Sequence, residues 1–84
     1  MAAFDQQETF SKVQAIIADK LKISDVSSIT PESTLQDLGA DSLDMADIIL
    51  KMEEQFGIEI NDEDAEGLRN VRDVADYVHK LRSR

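Results

Sequence analysis

Hydrophobic residues recur every three or four positions in several stretches of the chain, and this spacing predicts amphipathic α-helices. The first stretch covers residues 5–21, where Asp5 and Glu8 have the spacing of a capping box at a helix start. Its apolar positions are Phe10, Val13, Ile16, Ile17 and Leu21. Residues 23–39 hold the only proline, Pro31, and are rich in Ser, Thr and Asp, so they predict a long loop.

Glycine and asparagine residues mark the ends of the other predicted helices. The second helix should begin at Asp41 or Ser42 and end at Gly57, which suits a left-handed C-cap. Asn61 can cap a short acidic helix, and Asn70 can cap the last helix, whose apolar residues form one stripe. The sequence therefore predicts an all-α four-helix bundle with three longer helices, one short helix, and a long loop between helices 1 and 2.

The second predicted helix carries apolar residues on two sides. At about 100° per residue, five of them share one arc of the width expected for a core-facing stripe. These five are Met45, Ile48, Ile49, Met52 and Phe56. Leu43, Ala46 and Leu50 lie on a different side, among acidic residues, and predict a docking surface that is desolvated when a partner binds. A solvated acidic face that serves solubility is the alternative.

The net charge is strongly negative, at −9, and is concentrated in the middle of the chain. Residues 41–66 contain ten acidic side chains and one basic side chain. Such a surface repels nucleic-acid phosphates and anionic membranes, and it attracts basic protein surfaces. We therefore expect protein partners and no nucleic acid.

Length and cysteine content limit the fold and its chemistry further. The 84 residues predict one domain over residues 1–84, and the absence of cysteine removes disulfides, thiol nucleophiles and thiolate metal sites. No apolar run is long enough to span a membrane, and the N-terminus lacks the pattern of a signal peptide. We expect a soluble, cytoplasmic monomer, although an organellar protein that has lost its transit peptide would have the same sequence features.

Ser42, between two aspartates at the predicted helix start, has three candidate roles: helix cap, catalytic nucleophile, or attachment point for a group added by another enzyme. A nucleophile would need a nearby base and an oxyanion hole. His79, the only histidine, lies on the predicted last helix, and Asp41 and Asp44 are weak bases at neutral pH when exposed. A serine hydrolase is therefore disfavoured, and a cap or an exposed attachment point remains.

The run DLGADSLD at residues 37–44 resembles the attachment site of acyl carrier proteins, whose Asp-Ser-Leu serine bears a 4′-phosphopantetheine arm. The resemblance extends to the passage EEQFGIEI at residues 53–60, to the helix order and to the acidic charge. It implies that a phosphopantetheinyl transferase attaches the arm from coenzyme A to Ser42. The chain would then be a non-catalytic carrier of acyl groups as thioesters, most simply in type II fatty acid biosynthesis.

The family also implies two further sets of site residues. Fatty acid or polyketide synthesis enzymes with basic patches would contact Asp41, Leu43, Asp44, Ala46, Asp47, Leu50, Glu53 and Glu54. An acyl chain sheltered in the bundle would be lined by Ile48, Met52, Ile58, Ile60 and Ala65. We expect both Asp44 and Glu53 to be exposed, so that either can be changed to lysine without unfolding the domain.

Two alternatives remain open at this point, and a third motif is disfavoured. Ala46, Asp47 and Lys51 depart from the residues usual in the fatty acid type, so a carrier for a specialised acyl chain or a polyketide would have similar features. An acidic adaptor that needs no arm would use the same surface. Several acidic residues match an EF-hand loop in part, but the helix dipole explains them more simply, so we expect no metal site. The partly matching positions are Asp62, Asp64, Glu66, Gly67 and Asp73.

Overall fold

A computed structural model describes residues 5–82, and four α-helices account for most of this range. They are α1 (Gln6–Leu21), α2 (Ser42–Phe56), α3 (Asp62–Glu66) and α4 (Val71–Arg82), with one 3₁₀ turn at Val26–Ser28. The predicted all-α fold, with one short helix and a long α1–α2 loop, is confirmed. Residues 1–4 and 83–84 lie outside the described range. The expectation that the N-terminus lacks a signal peptide rests mainly on residues 1–4 and so falls outside this range.

Helix ends follow the local chemistry of their capping residues. Asp5 caps α1 by accepting a hydrogen bond from the amide of Gln7, rather than from Glu8 as in the predicted capping box. Gly57 ends α2 in the left-handed region, at φ 65°, as predicted. Asn61 caps α3 and Asn70 caps α4, each through its side-chain oxygen. These caps fix where each helix starts and stops.

The core forms where α1 packs against both α2 and α4. Fully buried side chains come from all three helices: Val13, Ile17, Ile48, Met52, Val71, Val74 and Val78. Ile29 and Leu35 add two buried residues from the long loop. Of the predicted core stripe on α2, Ile48 and Met52 are fully buried, and the remaining three residues are half-buried against the core.

The long loop is held against the start of α4 by backbone hydrogen bonds. The amide of Leu35 donates to the carbonyl of Arg69 at 3.0 Å, and the amide of Val71 donates to the carbonyl of Ser33 at 2.9 Å. Gly39 adopts φ 97°, which favours glycine, just before α2. The loop therefore places the first residue of α2 in a defined position.

Candidate functional site

Ser42 is the first residue of α2, and its side chain is exposed. Within residues 5–82, no side chain or backbone group hydrogen-bonds its hydroxyl. Asp41 is the N-cap, and its Oδ1 accepts from the amide of Asp44 at 2.9 Å. Asp44 completes a capping box, because its Oδ2 accepts from the amide of Asp41 at 3.2 Å. Of the two residues that the sequence left open as the cap, Asp41 takes this role and leaves the Ser42 hydroxyl available.

The capping box changes the expected position of Asp44. This residue is half-buried rather than exposed, and its carboxylate is engaged with the backbone of the helix start. Replacing it by lysine would remove half of the capping box as well as an acid of the predicted docking surface. The expectation that Asp44 is exposed is wrong, while the expectation that Asp44→Lys leaves the domain folded stays a prediction.

The single histidine is engaged elsewhere. His79 Nδ1 lies 2.9 Å from the hydroxyl of Thr9, a fully buried residue of α1, and Arg82 also donates to that hydroxyl, at 3.0 Å. This cluster joins α1 to α4, whereas Ser42 lies at the start of α2. The structure therefore does not bring the histidine and the serine together as a nucleophile and its base.

The outward face of α2 carries the second apolar stripe predicted from the sequence. Leu43 is 76% exposed and Leu50 is 54% exposed, and Ala46 between them is exposed as well. Asp47 and Glu54 are exposed acids on the same side of the helix. We use the name outward face for the eight predicted partner-binding residues. They are Asp41, Leu43, Asp44, Ala46, Asp47, Leu50, Glu53 and Glu54.

Two acids of the outward face have partners inside the molecule. The Asp47 carboxylate pairs with Lys20 of α1, with 2.6 Å between Nζ and Oδ2. Glu53 is half-buried, and its Oε2 accepts a hydrogen bond from the amide of Ile60 at 2.8 Å. The expectation that Glu53 is freely exposed is therefore wrong, because its carboxylate satisfies the backbone after α2. Sequence spacing gave no sign of either contact.

A groove of about 810 Å³ runs between α2 and α3 and has Ser42 at its edge. Its apolar lining comes from both sides: Met45, Ala46, Ile49, Leu50, Ile60, Ala65 and Leu68. The wall formed by α3 is tied to α4, since the Tyr77 hydroxyl donates to Asp64 at 2.7 Å. That hydrogen bond, with partial burial, raises the pKa of Tyr77 to about 12. The groove is thus an apolar space adjoining an exposed hydroxyl.

The five residues predicted to line an acyl pocket occupy three different places. Ile60 and Ala65 line the groove next to Ser42. Ile48 and Met52 are fully buried in the core, and Ile58 lines a separate groove with Phe56 and Leu81. Sequence reasoning missed Met45, Ile49 and Leu68 as groove residues. The helical arc offered a signal for Ile49, which lies at the edge of the core stripe nearest Ala46 and Leu50.

The acidic segment after α2 folds as helix α3, with Asp62, Glu63 and Asp64 in its first turn. There the positive end of the helix dipole stabilises them. Across residues 5–82, no three His, Asp or Glu side chains are grouped so that they could hold a metal ion. Nor does any helix within that range have the length and apolar character needed to cross a membrane.

Residues 11–78 match the family described as phosphopantetheine attachment site. The chain is 46% identical over 76 residues to an acyl carrier protein of Thermosynechococcus vestitus, covering 89% of this chain and 93% of that one. The chain belongs to the acyl carrier proteins. The resemblance predicted from the DLGADSLD run is confirmed.

Solved acyl carrier proteins also share the fold. The crystal structure from Thermotoga maritima superposes with a TM-score of 0.77 at 30% identity, over 90% of this chain and 88% of that one. An acyl carrier protein from Enterococcus faecalis gives a TM-score of 0.77 at 33% identity, over 93% and 99%. The chain is therefore a non-catalytic acyl carrier with a phosphopantetheine attachment domain.

Proposed function

We propose that Ser42 is the residue that carries the 4′-phosphopantetheine arm. The observation that supports this is the free Ser42 hydroxyl at the start of α2, which is exposed because Asp41 provides the cap. A phosphate at this position would lie at a helix N-terminus, where the dipole favours negative charge. The neighbouring acids are held in the capping box, and the α2–α3 groove adjoins the hydroxyl, so the residues present fit the group.

Ser42 supplies the nucleophilic oxygen in the loading step, and the transferase supplies the catalytic groups. A bond forms between Ser42 Oγ and the phosphorus of the pantetheine phosphate in coenzyme A. The bond from that phosphorus to the adenosine 3′,5′-bisphosphate part breaks, and the hydroxyl proton passes to the transferase. When attached, the group supplies a terminal thiol that carries acyl chains as thioesters, which the cysteine-free chain does not provide itself.

We propose the outward face of α2 as the docking surface for the transferase and for later enzymes with basic patches. Its exposed leucines supply a small apolar patch, and the acids around them supply charge complementarity to a basic surface. Leu43 directly follows Ser42, so a partner that reaches the hydroxyl also meets this side chain. The occupant we favour is therefore a basic protein surface centred near the start of α2.

Intact mass after incubation with coenzyme A and a phosphopantetheinyl transferase tests the attachment site. The wild-type chain and the control Ser24→Ala, which changes another exposed serine, should gain one phosphopantetheine. Ser42→Ala should gain none. No gain in the wild type, or a gain that persists in Ser42→Ala, would contradict the assignment.

The same assay, followed over time, tests the docking surface. Leu43→Ala should lower kcat/KM for arm transfer about tenfold, which corresponds to about 1.4 kcal/mol, because the few contacts that cost more than about 1 kcal/mol on truncation lie at the centre of an interface. Val26→Ala is the matched control, since Val26 is an exposed apolar residue of the 3₁₀ turn and is not part of the outward face. Equal rates for both variants would mean that Leu43 lies outside the docking surface.

We propose that an acyl chain on the arm enters the α2–α3 groove, lined by Ile60 and Ala65 with the groove residues that the sequence missed. Ile48 and Met52 would be reached only if the helices part, because both are fully buried. Methyl NMR of the acylated and unacylated forms tests this proposal. The methyl signals of Ile49 and Ile60 should shift on acylation, and the signal of the buried loop residue Ile29 should stay in place. Shifts confined to exposed residues outside the groove would refute the proposal.

We assign the carrier to type II fatty acid biosynthesis in a bacterial-type cytoplasm. The support is the 46% identity to a cyanobacterial acyl carrier protein over nearly the whole chain. A reconstituted bacterial fatty acid synthase should elongate acyl groups on the loaded chain. Elongation only by polyketide enzymes would instead favour the specialised carrier.

A further inference from the structure

Lys20 of α1 reaches across to α2 and engages an acid of the outward face. Its Nζ lies 2.6 Å from Asp47 Oδ2, and the two side chains are 38% and 54% exposed. The hydrogen bond to Asp47 is the main cause that raises the pKa of Lys20 above its ordinary value. The positively charged ammonium of Lys20 therefore lies at one edge of the outward face.

Asp47 pairs with Lys20 of α1 and not with the lysine that is nearer in the sequence. Lys51 follows Asp47 by four positions on the same helix, a spacing at which opposite charges often meet. In the described part of the chain, however, Asp47 pairs with Lys20 and Lys51 forms no ion pair. Because the contact joins two helices, it depends on how α1 and α2 pack.

We propose that Lys20 is a specificity-determining residue that masks Asp47 from docking partners. A partner with a basic residue opposite Asp47 must displace Lys20, whereas one whose basic residues face the exposed Glu54 meets no such competition. This inference rests on the proposed docking function of the outward face. If Lys20 masks Asp47, fewer acids of the outward face are available to a partner than the sequence suggests.

Binding of the phosphopantetheinyl transferase, measured without coenzyme A at low salt, tests the masking. Lys20→Met keeps the apolar stem but removes the charge, and it should tighten the Kd roughly two- to fivefold, the effect typical of an exposed ion pair. Lys20→Arg, which can re-form the pair, should bind like the wild type. Lys12→Met is the matched control, because Lys12 is an exposed lysine of the same helix with no ion pair among residues 5–82.

The Asp47→Asn background separates masking from a simple change in net charge. If Lys20 acts through Asp47, adding Lys20→Met to Asp47→Asn should improve binding no more than Lys12→Met does. The inference is overturned if Lys20→Met lowers the Kd equally in the wild type and in the Asp47→Asn background. It is also overturned if Lys20→Met alone does not lower the Kd. Failure of the wild type to accept the arm would instead count against the proposed function, because the binding measurement needs no arm transfer.

Discussion

Glu53 offers the most direct test of how the structure holds the segment after α2. Its carboxylate accepts the amide hydrogen of Ile60, a residue that is only 5% exposed, at 2.8 Å. Glu53→Ala removes this acceptor and leaves the amide without its partner. A hydrogen bond to a charged group contributes about 1.5–3 kcal/mol, and partial exposure of Glu53 reduces that figure. We expect a loss of about 1–2 kcal/mol in the free energy of unfolding.

Denaturant unfolding followed by circular dichroism measures this loss, since a domain of this size is expected to unfold in one cooperative step. In a thermal scan each kcal/mol corresponds to about 4–8 °C in Tm. Glu53→Gln keeps an oxygen acceptor and should lose less. Glu54→Ala, at the exposed neighbouring position, should stay within about 0.5 kcal/mol of the wild type.

Equal unfolding midpoints for Glu53→Ala and Glu54→Ala would refute the reasoning, because of these two carboxylates only that of Glu53 accepts the amide hydrogen of Ile60. Amide hydrogen exchange provides a second readout. The Ile60 amide should exchange faster in Glu53→Ala, while amides in the centre of α4 should change only as far as global stability does. A charge reversal at Glu53 would remove this hydrogen bond as well as an acid of the proposed docking surface, so it is a poor probe of docking alone.

Two further predictions concern the hydroxyl of Tyr77 and the helix C-caps. Tyr77 is the only tyrosine, so its phenolate absorbance should report a pKa of about 12, which falls toward 10 in Asp64→Asn. Because the pKa of Tyr77 is raised in the folded state, the stabilisation from this contact is present below about pH 10 and is lost as the pH rises through about 12. Denaturant unfolding measured between about pH 10 and pH 12 would check this loss of stability. Lys22 ends α1 at φ 61° and Gly57 ends α2 at φ 65°, and this left-handed conformation is unfavourable for a residue with a Cβ. Lys22→Gly should therefore raise the free energy of unfolding by about 1 kcal/mol, and Gly57→Ala should lower it by a similar amount. Changes of the same sign in both variants would contradict the left-handed geometry.

Local sequence chemistry determined the helices and the two sides of α2. Caps such as Asn61 and Gly57 act within one turn of the helix end, so their positions can be located without knowing the fold. The exposure of Leu43 and Leu50 and the burial of Met52 follow from helical spacing alone. The DLGADSLD run also carried the family, which the comparisons confirmed.

Tertiary structure decided which acids of the outward face are available. Lys20 and Asp47 lie on different helices, and their contact depends on how α1 packs against α2. Glu53 binds the amide of Ile60 only because the chain folds back after Gly57. Helical periodicity determines the direction of a side chain from its own axis, but it carries no information on what the neighbouring segments place there. For this reason the sequence predicted the acidic face, and only the packed helices revealed which of its carboxylates are already engaged.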